Sequence, residues 1–213
     1  MIIFGIIFGI CFGHIAKRII NWIEIDGFTL NLENISLEIL SIFISVWSFS
    51  NLDLIEAIPF GLLSITLFAI SFVDYRTYQI PLIFILIGIF FASVNVALGN
   101  IFLTAALWGI FIGSLIPLFI LGAMWFITKR QGMGFGDIQL GIILGAMLGP
   151  MRMALTLFFA SLLSLLSWIV VSIFKGFNRD RAMPMAPFFT IAATLVYIGS
   201  FYYPDFFYFL IMQ

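Results

Sequence analysis

The sequence predicts an all-α integral membrane protein with about eight transmembrane helices, short loops and both termini outside. Three observations carry that expectation. Of 213 residues, 63% are hydrophobic and 9% charged, against about 25% charged in soluble domains, and mean hydropathy is +1.23. Apolar runs recur along the whole chain, and the basic residues cluster in alternate connections between them.

The apolar runs fall at 1–16, 36–49, 57–73, 80–98, 101–127, 138–149, 153–174 and 186–211. Crossing about 30 Å of hydrocarbon takes about 20 helical residues, so several are comfortable spans and three are short. The first run has no basic residue ahead of it and is followed by Lys17 and Arg18. A cleavable signal peptide has the reverse order, so a retained helix is expected. With eight spans and the N-terminus outside, Lys17, Arg18, Arg76, Lys129, Arg130, Lys175, Arg179 and Arg181 all face the cytoplasm. Arg152 alone is left outside, in accord with the positive-inside rule. The run at 138–149 covers only about 18 Å at 1.5 Å per residue and could be a re-entrant half-helix. Dropping it worsens the charge distribution, so eight spans is the better count. Residues 19–35 form the longest polar stretch, with room for a short hairpin or an interfacial helix around Trp22 but not for a domain.

Composition excludes much chemistry. Cys11 is the only cysteine and His14 the only histidine. A disulfide framework, a multi-cysteine zinc site and a catalytic Cys-His pair drawn from separate parts of the chain are all ruled out. Both residues lie on the first apolar segment and are expected to pack inside the bundle. A net charge of −1 gives no sign of a nucleic-acid partner.

Ionisable residues near a span are costly and therefore mark candidate sites. Glu24, Asp26, Glu33, Asp53, Glu56, Asp180 and Asp205 lie in loops or near span ends and read as solvated charge. Glu38 falls in the first turn of the second span, where a helix N-terminus tolerates an anion. Asp74 and Asp137 stand apart. Asp74 ends the third span before the short connection to Pro81, and Asp137 closes the run Gly132-Met133-Gly134-Phe135-Gly136. The expected topology puts both on the cytoplasmic side at similar depth. Each has an ordinary alternative, since Asp caps helices well and Asp74 has Arg76 beside it. The glycines favour the functional reading. Gly132, Gly134 and Gly136 permit unusual backbone and close approach of another chain. Gly141, Gly145 and Gly149 follow Asp137 at every fourth position, a small-residue face by which membrane helices pack. The helix ending in Asp74 is the expected neighbour. As a dinucleotide loop the Gly132–Gly136 run fails, because that fingerprint follows a strand and here an apolar 27-residue run precedes it.

At VDYRTYQIP (73–81), GMGFGDIQLGIILGAMLG (132–149) and MPMAPFF (183–189) the sequence resembles the type IV prepilin peptidases, within the GxGD class of membrane aspartyl proteases. The resemblance covers roughly residues 36–210 and divides the chain into a first helix with a short cytoplasmic loop, 1–35, and a peptidase membrane domain, 36–213. It implies catalytic Asp74 and Asp137 and substrate contact at Gly132, Gly134 and Gly136. The implied place is the cytoplasmic face of the inner membrane. Implied substrates are prepilins or pseudopilins, cut between a short basic leader and an apolar helix. There are departures. Gln139 stands where the family usually has Lys, and Leu82 where an acid commonly follows Pro81. The large cytoplasmic loop with two cysteine pairs thought to hold zinc is missing.

Two close carboxylates tend to share one proton and titrate as a pair. One then activates water against the scissile carbonyl while the other protonates the oxyanion and the leaving amine. That chemistry needs no metal and no cofactor. S-adenosylmethionine would matter only if the N-methylation found in many family members were retained, and residues 17–35 are too few to enclose it alone. An archaeal preflagellin-type peptidase is the nearest alternative. A small transporter, the alternative from another class, would favour mid-membrane acids and an internal repeat.

Overall fold

A computed structural model describes residues 1–31, 33–128, 134–178 and 182–211. Every regular element among them is helical. Helix α1 spans Ile2–Ile23, α2 Ser36–Asn51, α3 Leu54–Thr77 and α4 Leu82–Ala97. Helix α5 (Leu103–Ile110) runs through a π turn at Phe111–Leu115 into α6 (Ile116–Thr128), making one continuous rod of the 101–127 run. Helix α7 covers Phe135–Lys175, α8 Ala186–Tyr202 and α9 Pro204–Ile211. Four of these stretches, Ile2–Ile23, Leu54–Thr77, Leu103–Ile127 and Phe135–Lys175, are long and apolar enough to cross a membrane, and α4 and α8 are shorter apolar helices. The chain is a membrane protein, and each apolar run of the sequence has become helix.

Two compact units divide the chain, Met1–Thr104 and Ala105–Gln213. In the first, α1 and α2 pack backbone to backbone. A Cβ placed on Gly9 would lie 2.5 Å from the Ile42 Cα, and one on Gly5 would lie 2.9 Å from the Val46 Cα. Gly13 abuts Ser41 and Glu38 in the same way. The fourth member of that stripe is Lys17. Expected as a cytoplasmic flank, it is only 1% exposed and ion-paired with Glu38 on α2. The reason is that α1 runs to Ile23, beyond the end of its apolar run, and carries Lys17 into the α1–α2 seam. His14 sits half-buried beside this pair, its Nε2 accepting from Arg18 Nε at 3.1 Å. Cys11 corrects the expectation of an interior thiol: it is exposed, on the side of α1 away from the glycine stripe. No hairpin forms in 19–31. Trp22 lies on the last turn of α1, and a 3₁₀ turn at Ile25–Gly27 follows.

In the second unit α7 is broken at Gly149 (φ 73, ψ −179), ahead of Pro150. An L residue rarely adopts that backbone, and the break falls between the apolar runs 138–149 and 153–174. All three glycines of the face after Asp137 pack, and Gly149 also bends: a Cβ on Gly109 would lie 2.9 Å from the Gly149 carbonyl carbon. Added Cβ atoms at Gly141 and Gly145 would lie 2.8 Å from the Gly113 carbonyl carbon and 2.5 Å from that of Gly109. The neighbour of this face is therefore α5 and its π turn, where the expectation named the helix that carries Asp74.

Candidate active site

Asp74 lies one turn inside the C-terminus of α3, on the same stripe as Leu63, Leu67 and Ile70, which are all at most 2% exposed. The carboxylate continues that apolar stripe and is itself 4% exposed. A buried carboxylate is costly unless paired or hydrogen-bonded, so its position is not that of a flanking charge left in water. The helix stops just beyond it. Tyr78 turns left-handed (φ 57, ψ 26) and donates its backbone N–H to the Asp74 carbonyl at 2.9 Å. That conformation costs a non-glycine residue about 1–2 kcal/mol. Pro81 then opens α4.

Asp137 is the third residue of α7 and is 7% exposed. Its Oδ2 accepts the backbone N–H of Gly134 at 3.1 Å, the reciprocal half of a capping box. The capping role open to Asp137 in the sequence is thus present. A carboxylate has about four lone-pair sites, so one amide bond orients it without exhausting it. Gly134 itself is extended (φ −74, ψ 146), a backbone open to any residue. What it needs is space, since a Cβ there would lie 3.3 Å from Asp137 Oδ2. Gly136 is in the first turn of α7 and does not have positive φ. Gly132 lies outside the described residues, as do Lys129, Arg130, Arg179 and Arg181 of the charge count. Asp74 belongs to the first compact unit and Asp137 to the second.

Sequence reasoning missed a polar pocket at the end of α3. It has a volume of about 370 Å³ and is lined by Phe28, Asn31, Asn34, Phe72, Tyr75 and Arg76, among others. Two side-chain clamps hold the loop that forms it. Asn21 brackets Leu30, donating to its carbonyl at 3.0 Å and accepting its N–H at 2.7 Å. Gln79 donates to Asp26 Oδ2 at 2.6 Å. The signal for it was the pair of asparagines, Asn31 and Asn34, at the end of the longest polar stretch.

The sequence model of the type IV leader peptidase family matches residues 61–169, a region that contains both aspartates and just over half of the chain. The chain belongs to this family. Among curated proteins it is similar to the prepilin leader peptidase/N-methyltransferase of Dichelobacter nodosus, 30% identical over 62% of this chain and 46% of that one. The enzyme of the same name from Pseudomonas putida is 28% identical over 65% of this chain and 48% of its own length. That from Aeromonas hydrophila is 27% identical over 62% and 46%. The chain spans about half the length of these curated relatives. No solved structure matches it.

Proposed function

We propose that the chain is a membrane aspartyl endopeptidase that removes the leader peptide of type IV prepilins or pseudopilins at the cytoplasmic face of the cytoplasmic membrane. The observation that carries this reading is the burial of two carboxylates at helix ends, Asp74 at 4% and Asp137 at 7% exposure, both inside the region matched to the family. The topology that goes with it has eight spans and both termini outside.

Asp74 and Asp137 act as a pair, one taking a proton from water and the other donating to the oxyanion and then to the leaving amine. Gly132, Gly134 and Gly136 let an extended substrate backbone come close. The peptidase step needs no cofactor. The relatives' names include an N-methyltransferase, so the polar pocket beside α3 is the place to ask whether S-adenosylmethionine fits. Among the described residues its lining includes the Arg76 cation and no carboxylate, a poor match for a sulfonium cation and a ribose diol. That mismatch supports a peptidase with weak or absent methyl transfer.

Co-expression with a tagged prepilin tests the reading. The shortened product should appear with the parent chain and be absent with Asp74→Asn or Asp137→Asn at unchanged abundance. If the two act as one unit, the double variant is no worse than either alone. Substantial cleavage by either single variant would return that Asp to a structural role. A product heavier by one methyl group, with this chain as the sole enzyme present, would overturn the assignment of peptidase activity alone.

A further inference from the structure

The second unit holds a groove of about 520 Å³ between the later part of α7, α8 and α9. Its lining is entirely apolar apart from Tyr203. On α7 the wall is Leu155, Phe159, Leu162 and Leu163, spaced as one face of a helix. One turn before Leu155, on the same stripe, stands Arg152. Its guanidinium lies over the ring of Tyr197 at 5.3 Å, next in sequence to the groove-lining Val196. Among the described residues no carboxylate pairs with it. Arg152 is also the single basic residue that the positive-inside distribution leaves on the outer side.

An arginine near the end of a span reaches for the membrane interface, and the anions at that depth are lipid phosphates. The groove continues from it along about 12 Å of α7 at 1.5 Å per residue. We infer that this groove and Arg152 form a phospholipid site, with an acyl chain along α7 and α8 and the phosphate on the guanidinium. An apolar peptide helix fits less well. It brings no anion to the Arg152 guanidinium, whereas a lipid phosphate does. The site does not depend on the peptidase reading.

Native mass spectrometry of the full chain, exchanged from phosphatidylglycerol mixed micelles into plain detergent, tests it. One phosphatidylglycerol should stay bound. Arg152→Gln should lower its retention about tenfold, the scale of one charge-assisted hydrogen bond, and Arg152→Lys should keep most of it. Leu195→Trp, which fills the groove from an exposed position, should lower retention of phosphatidylglycerol and phosphatidylcholine alike. Melting curves of the variants separate lost binding from lost folding. Equal retention by the parent chain and by folded Arg152→Gln and Leu195→Trp variants would overturn the site. So would retention of glycerol phosphate alone, or one-for-one displacement of the lipid by an apolar helical peptide.

Discussion

Replacing Gly9 by alanine adds one methyl group where the structure has no room for it. The new Cβ would lie 2.5 Å from the Cα of Ile42, 2.6 Å from its nitrogen and 2.7 Å from the carbonyl oxygen of Ser41. All three are backbone atoms, so no rotamer change relieves the contact. Reaching an ordinary separation of 3.4 Å means moving α2 away from α1 by about 1 Å. Overpacking of this kind costs about 1–3 kcal/mol, and the separation also weakens the neighbouring contacts at Gly5 and Gly13. For a chain of this size each kcal/mol moves the melting temperature by roughly 2–4 °C, so a fall of about 2–12 °C is expected. Gly122→Ala on α6 is the control. Nothing lies within 4 Å of its added Cβ, and a helix interior gains about 0.5–1 kcal/mol from the exchange. Thermal unfolding of both variants in one detergent is the assay. Equal melting temperatures for Gly9→Ala and Gly122→Ala would refute the backbone-contact account of α1 and α2.

Other outcomes follow from the same structure. Lys17→Met leaves Glu38 buried without its cation and should destabilise the chain by about 3–5 kcal/mol; Lys17→Met with Glu38→Met should recover most of that loss in the same melt. Gly149→Ala forces an alanine into a glycine-only backbone conformation, costing about 1–3 kcal/mol, whereas Gly145→Ala fails by contact with α5, so circular dichroism melts should show both lowered. Asp137→Asn keeps an oxygen for the Gly134 N–H, so its melting temperature should stay within about 2–4 °C of the parent, a change of under about 1 kcal/mol, while prepilin cleavage disappears.

The helices were legible because apolar runs near membrane thickness have few alternatives. Both aspartates were legible because a carboxylate at the end of such a run stands out, and the structure buries both. The helix partners were harder. The Gly141–Gly145 stripe was visible, but its partner was sought near Asp74, although Gly109 and Gly113 show the same four-residue spacing in the sequence. Gly5, Gly9 and Gly13 gave the same signal for α1. The burial of Lys17 was not legible because a lysine after an apolar run reads as a water-facing flank. Only the seam between two helices shows that it meets Glu38. Gly149 was only half read: glycine serves both for close packing and for unusual backbone, and this one does both, which spacing alone does not show.

Two stripes in this chain combine small residues and one charge at the same interval, Gly5-Gly9-Gly13-Lys17 on α1 and Asp137-Gly141-Gly145-Gly149 on α7. Their charged ends are used differently. Lys17 meets a carboxylate of opposite sign, and the buried pair closes the α1–α2 seam. Asp137 receives a backbone N–H from Gly134, a bond that orients a carboxylate without adding charge to it. Behind Asp137, contacts of Gly141 with the π turn and of Gly145 with α5 leave no space for even one methyl group. A helix held that closely fixes the position of its first turn. Such rigid support is what an acid–base group requires, because misplacement by about 1 Å can cost 10²-fold in rate. The glycine stripe of α7 therefore matters to the proposed chemistry through position, and Gly145→Ala should lower cleavage even where the protein remains folded.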